Sequence, residues 1–210
     1  MLIQILVDNP NSWIIPYAKE LQAKLIALGY DPRLFHNHDQ VIQGDILCLL
    51  SCEKLFKDLN LNKHNLVIHE SDLPKGRGWS PLTWQVLEGE NEIPITLFEA
   101  AEDVDAGVIY SQEIVTFNGD ELIDELRAAQ GNSSIRQIIS FVLNYPKNKG
   151  REQTGIPQYY RKRSEKDSQL DVDKTIREQF SLLRVVDNER YPAFIEIMGC
   201  KYYIKISKQK

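Results

Sequence analysis

His69 follows the apolar-leaning run Asn65 to Ile68 and opens the loop Glu70-Ser71-Asp72-Leu73-Pro74-Lys75-Gly76-Arg77-Gly78-Trp79-Ser80-Pro81, dense in turn formers and reactive side chains. An imidazole in such a position becomes a general base when a carboxylate orients it and raises its proton affinity. A second turn, Glu99 to Gly107, carries Glu99, Glu102, Asp103 and Asp105 and offers that carboxylate. Alone, a histidine at a strand end is more often structural. The acidic turn is what gives His69 weight.

Other groups carry less. His36 and His38 are spaced for a metal but have no third His or Cys at ligand spacing, so a surface loop is the expectation and no metal is assigned. Cys48 and Cys52 lie four apart, with Cys48 inside an apolar run, which fits neither a zinc site nor a redox pair. The first turn, Asp8-Asn9-Pro10-Asn11-Ser12, contains no glycine, so a dinucleotide fingerprint and a P-loop are both absent. The basic stretch from Lys147 to Lys166 is expected as a solvated connector, with phosphate contact as the lesser alternative.

The positioning elements follow from periodicity. Leu2 to Val7 reads as a strand buried on both faces. Ser12 caps a helix whose apolar residues Ile14, Ala18, Leu21, Leu25 and Leu28 recur at three and four, stopped by Gly29. Strands are expected at Pro32 to Phe35, Ile46 to Leu50, Asn65 to Ile68, Ile95 to Phe98 and Val108 to Val115. Helices are expected at Leu82 to Glu88, Glu121 to Arg127 and Ile135 to Leu143. Such alternation predicts an α/β fold with a mainly parallel sheet, whose ligands sit beyond the carboxyl ends of the strands. Past a connector at 147–170, residues 171–210 predict a small appendage. It comprises a helix through Ile176, Phe180 and Leu183, then a hairpin of Phe194 to Met198 and Tyr202 to Ile206 turning at Gly199-Cys200.

Bulk properties narrow the partners. The 210 residues are 42% hydrophobic and 26% charged, with a net charge of -5, so capture of nucleic acid by the whole surface is not expected. No apolar run approaches the roughly 18 residues of a membrane span. Three cysteines are too few for a disulfide framework, and with a start that reads as a strand the expected location is the cytoplasm.

Ile68-His69-Glu70-Ser71-Asp72-Leu73-Pro74, Arg77-Gly78-Trp79-Ser80-Pro81, Trp84, Gly89-Glu90 and Asp105-Ala106-Gly107 stand in an order and spacing that resembles the folate-dependent formyltransferase family. Leu183-Arg184-Val185 and Arg190-Tyr191-Pro192-Ala193-Phe194 are similar to that family's later helix and its entry to a hairpin. Arg-Gly-Trp-x-Pro and the segment Ser51 to Phe56 resemble the nucleotide-sugar N-formyltransferases within it. The tail reads as too short for the second barrel of methionyl-tRNA formyltransferases. The glycine-free first turn also suits glycinamide ribonucleotide formyltransferase poorly.

The resemblance implies a Rossmann-like formyltransferase domain over 1–146. Its implied reaction takes a formyl group from formyl-tetrahydrofolate to the amine of a nucleotide-linked amino sugar, in the narrowest form a UDP-linked 4-amino-4,6-dideoxy sugar of the pseudaminic acid type. His69 is then the base and Asp105 its orienting partner. The pterin would lie against Leu49, Leu50 and Cys52 and the turn residues Glu99, Ala100, Ala101, Asp103 and Val104. Lys54, Lys75 and Arg77 are diphosphate candidates, Trp79 a stacking surface, and Ser71, Gly76 and Ser80 further acceptor contacts. Where the family has an asparagine two residues before the histidine, this chain has Val67. Asn65 lies about 7 Å further back along the strand. Loss of one such oxyanion donor is worth roughly 3 kcal/mol, so a binding module without turnover stays open, as does another amine such as glycinamide ribonucleotide. A homodimer through the free face of the hairpin is a further expectation.

Overall fold

A computed structural model describes residues 1–209; Lys210, the last residue of the expected appendage, lies outside them. The first half alternates strand and helix: β1 (Ile3–Leu6), α1 (Ile15–Ala27), β2 (Pro32–Phe35), β3 (Gly44–Leu49), β4 (Asn62–His69), β5 (Arg77–Gly78) and α2 (Pro81–Leu87). Then follow β6 (Glu92–Glu99), β7 (Ile109–Thr116), α3 (Ile123–Asn144), β8 (Tyr159–Tyr160), α4 (Phe180–Val185), β9 (Ala193–Ile197) and β10 (Cys200–Ile204). The main sheet has the order β2-β1-β3-β4-β6-β7. Its pairs β1–β2, β1–β3 and β3–β4 are parallel, while β4–β6 and β6–β7 are antiparallel.

Both faces of the central strands are apolar, and the period of two sorts them. Ile3, Ile5, Ile46, Cys48 and Leu66 pack against Leu21 and Leu25 of α1 and Ile138 and Phe141 of α3. Leu6, Leu47 and Leu49 face the other way, against Val41 and Phe56, where loops rather than helices cover the sheet. Each fully buried leucine or isoleucine contributes about 1.5–3 kcal/mol, so the helix-covered face fixes the sheet. The loop-covered face is left to be shaped into a cavity.

Four expectations are corrected in detail. Ser12 does not cap α1 with its side chain; its carbonyl accepts from Ile15 N (3.2 Å), and Pro16 stands in the first turn, where its missing N–H leaves no helical hydrogen bond unmade. The two helices expected between Glu121 and Leu143 are one, α3, running through Gly131. A Cβ there would stand 2.4 Å from the ring of Tyr17, so the glycine is the close approach of α1 to α3 and not a break. The hairpin turns at Met198-Gly199, because Ile197 pairs with Cys200 and both turn residues have positive φ (51° and 74°). Finally, the stretch after Pro146 is not free of the body. Arg151 bridges to Ile109, and Tyr159–Tyr160 of β8 pair in parallel with Arg77–Gly78 of β5. The tail is anchored by buried Arg184, which reaches Glu121 (3.3 Å) and Asn91 (3.0 Å).

Candidate active site

β4 ends at His69, which is 6% exposed, and pairs antiparallel with β6 so that His69 stands opposite Thr96. The turn after β6 therefore starts opposite Leu66, three residues back along β4 from His69. It comes back along the loop-covered face, and Asp105 arrives with its Oδ2 3.7 Å from His69 Nε2. Asp105 adopts a left-handed backbone (φ 53°), which aspartate tolerates better than most residues. Its carboxylate accepts from Gly78 N (2.8 Å), and Gln153 Nε2 donates to the carbonyls of Asp105 and Gly107 (2.8 Å each). Gly107 closes the turn so tightly that a Cβ would fall 1.7 Å from the Glu99 carbonyl oxygen.

The imidazole is fixed as well. His69 Nε2 lies 2.7 Å from the Gly76 carbonyl, which can only accept, so Nε2 carries the hydrogen and Nδ1 is the basic nitrogen of the neutral ring. The loop that supplies Gly76 is itself pinned, with Ser71 O accepting from Thr96 Oγ1 at 2.7 Å.

A cavity of about 660 Å³ joins these groups to the loop-covered face. Of the residues expected to hold a cofactor, Leu49, Leu50, Cys52, Ala100, Ala101 and Val104 line it; of the acceptor candidates, Lys54, Trp79 and Ser80 do. Glu99 does not, being turned to Asn65 N (2.5 Å), His64 Nδ1 (3.0 Å) and Tyr110 OH (2.8 Å). Asp103, Ser71, Lys75, Gly76 and Arg77 are also off the wall. Arg77 is buried against Gln153 (2.6 Å) and Tyr159 OH (3.3 Å), so its guanidinium ties the β5 loop to the later segment rather than meeting a phosphate. Lys75 lines a separate, smaller hollow with Arg151 and Thr154. Asn65 cannot stand in for an asparagine at Val67, because its amide donates to the Leu59 carbonyl (2.7 Å). Cys52, burial-raised to about 12, donates to Leu6 O and is an inert wall.

Sequence reasoning missed the cationic part of the lining. Lys162, Arg163 and Arg190 line the cavity, and none forms an ion pair among the described residues. The Arg163 Nε is buried without a partner, and Lys162 sits 4.7 Å over the ring of Trp79. Only the basic composition of Lys147 to Lys166 hinted at this, since nothing in that stretch announces the β5–β8 pairing that carries it to the site. His36 and His38 lie apart from the His69–Asp105 pair, bound to Val7 O (2.9 Å) and Asp8 Oδ2 (3.3 Å). No described helix is long and apolar enough to cross a membrane.

The chain has the α/β fold of formyltransferases, and it resembles the folate-dependent formyltransferase family in structure as in motif. It is 33% identical over 104 residues, 48% of this chain and 33% of the relative, to the methionyl-tRNA formyltransferase of Thermotoga neapolitana. It is 28% identical over 159 residues, 74% of this chain and 24% of the relative, to the bifunctional polymyxin resistance protein ArnA of Wigglesworthia glossinidia brevipalpis. The matches thus span a third or less of those curated relatives. No protein-family model matches. Among solved structures, a methionyl-tRNA formyltransferase from Clostridium thermocellum superposes with a TM-score of 0.84 at 19% identity, covering 100% of this chain and 94% of that one. A 4-N formyltransferase from Francisella tularensis gives 0.71 at 20%, covering 100% and 98%. HypX from Aquifex aeolicus in complex with tetrahydrofolic acid gives 0.76 at 14%, covering 97% and 37%.

Proposed function

We propose that this chain transfers a formyl group from formyl-tetrahydrofolate to the amino group of a nucleotide-linked amino sugar. The observation that carries the reading is the His69–Asp105 pair, locked by backbone groups at one end of a cavity whose other wall bears unpaired cations.

The cavity suits both ligands. Leu49, Leu50, Cys52, Ala100, Ala101 and Val104 form an apolar slot of the kind that holds a flat heteroaromatic ring, and would hold the pterin. When bound, the folate supplies the activated formyl group. The unpaired Lys162, Arg163 and Arg190 suit a diphosphate, with Lys54 on the neighbouring wall, and Trp79 offers a face to a nucleobase. A UDP-linked 4-amino-4,6-dideoxy sugar is the narrower form of the reading.

His69 Nδ1 accepts the proton that the attacking amine must lose. The positive ring that results is held by the Gly76 carbonyl on Nε2 and by the charge of Asp105 nearby. Asp105 stays in place because Gly78 N and Gln153 fix its carboxylate and its carbonyl.

Val67 favours one second reading. It brings no donor to the wall beside His69, and a site that lacks this group could bind folate or nucleotide sugar without turnover. Mass spectrometry on a panel of nucleotide-linked amino sugars, each incubated with the protein and formyl-tetrahydrofolate, decides between them. A formyl-sized mass gain on one member is expected. Binding of tetrahydrofolate with no gain on any member, together with turnover gained by Val67→Asn, would favour the binding module.

A further inference from the structure

Glu70 follows His69 directly and lines the same cavity, yet nothing described so far uses its side chain. It is 8% exposed, and among the described residues no Lys or Arg pairs with it. The Gln130 amide of α3 donates to Oε1, and no other side chain meets the carboxylate. A buried carboxylate without a cation is costly, so chains rarely keep one where a glutamine or alanine would pack as well. Around it Arg127 is already neutralised by Asp187 at 2.8 Å, which leaves this part of the wall without a free positive group.

We propose that Glu70 receives the acceptor's amino end, binding a primary amine in its ammonium form and taking one proton from it. The assignment rests on the amine-acceptor reading given above. In the step, an N–H bond of the ammonium breaks and an O–H bond forms on the Glu70 carboxyl. The electron pair stays on nitrogen, which becomes nucleophilic, and the carboxyl proton later leaves to solvent through the cavity. The attacking nitrogen still has a second proton to lose, and His69 takes that one. The division gives a role to each of two proton-accepting residues that follow one another at the end of β4 and line one cavity.

The balance of groups around Glu70 suits a proton that comes and goes. Burial pushes its carboxyl up to about 7, with the nearby charge of Asp105 acting in the same direction. The His69 ring and the Gln130 amide act against it, and the other polar neighbour, Gln85, is neutral and donates to the Glu70 carbonyl.

The test is calorimetric binding of a UDP-linked 4-amino-4,6-dideoxy sugar and of its 4-hydroxy analogue to the wild type and to Glu70→Gln. Wild type is expected to favour the amino sugar by roughly tenfold or more, and Glu70→Gln to bind the two alike while still binding tetrahydrofolate. A preference that survives in Glu70→Gln overturns the proposal. If Glu70→Gln no longer binds tetrahydrofolate, Glu70→Asp replaces it, with a weakened amino preference expected and an unchanged one overturning. If neither sugar binds the wild type, the sugar reading has failed by itself. Glu70 is then judged by carbodiimide coupling of ethylamine at neutral pH, read by peptide mass spectrometry. Modified Glu70 supports an amine site there, and unmodified Glu70 beside modified surface carboxylates overturns it.

Discussion

The two walls of the cavity are built on different principles. The His69–Asp105 wall is held almost wholly by backbone atoms: the Gly76 carbonyl, the Gly78 N–H, and the Asp105 and Gly107 carbonyls that Gln153 ties together. The cationic wall is made of long side chains, Lys162, Arg163 and Arg190, none of which forms an ion pair among the described residues. Proton transfer needs atoms fixed to within fractions of an ångström, which backbone hydrogen bonds provide. Holding an anion needs charge and reach, which tolerate side-chain freedom. Where the walls meet, two short strands join them, since Gly78 of β5 pairs with Tyr160 of β8.

The sharpest way to separate the walls is to remove the proposed base. His69→Asn is expected to lower turnover by roughly 10²–10⁴-fold while leaving tetrahydrofolate binding within about twofold. Steady-state kinetics together with equilibrium binding check both halves. Turnover that survives would take the chemistry away from this wall altogether.

Breaking the joint should injure both walls together. Gly78 has φ of 100°, and a Cβ there would stand 2.4 Å from the Tyr160 carbonyl oxygen. Gly78→Ala therefore costs on the order of 1–3 kcal/mol in backbone strain alone, and it also pushes β5 from β8. Thermal unfolding should show a midpoint lowered by several degrees, and the Gly78 N–H that Asp105 uses should be displaced. Unchanged stability with normal turnover would mean that the β5–β8 pairing is not what unites the walls.

Legibility in the sequence follows the same division. β4, the β6–β7 turn and His69 are marked by apolar runs, turn formers and a motif of fixed spacing, and the reading of His69 with Asp105 rests on those local signals. The antiparallel course of β6 left no such mark, because a strand buried on both faces looks alike in either direction. Arg77 misled for a related reason. A guanidinium next to glycines reads as a phosphate ligand, while its partner Gln153 lies 76 residues away and no local pattern joins them. Lys162 and Arg163 stand out in the sequence only as part of a basic stretch, because the pairing of two-residue strands brings them to the cavity and such strands carry no periodicity. Gly131 lies between the two helices expected at Glu121 to Arg127 and Ile135 to Leu143, and only the Tyr17 ring against it shows that it is a contact within one helix.

Glu70 sharpens the comparison through stability. Its carboxyl titrates near 7 in the folded chain and near 4.5 when unfolded, so between those values the folded state holds more protons. Stability must then fall as pH rises through that window, and below it the group costs nothing. Glu70→Gln removes the charged form and is expected to stabilise the protein by on the order of 1–3 kcal/mol at pH 8 with little effect at pH 4.5. Thermal unfolding of both proteins at the two pH values checks this. An equal effect at both would show that the carboxyl is solvated and that the wall is more open than the structure gives.

The smallest effect belongs to the cationic wall. Lys162→Gln with Arg163→Gln is expected to weaken UDP binding by about tenfold at low salt and by less at 0.5 M salt, because partly exposed charges are screened. Tetrahydrofolate affinity should not move, since the slot proposed for it is formed by other residues. The modest size is itself the argument. Lys162 stays solvated above Trp79, and Arg163 already donates to the Asp167 carbonyl at 2.9 Å, so a diphosphate exchanges water for cation contacts and gains only the difference. A loss of UDP affinity that is independent of salt would point to shape rather than charge, and would move the anion site off these residues to Lys54 on the neighbouring wall.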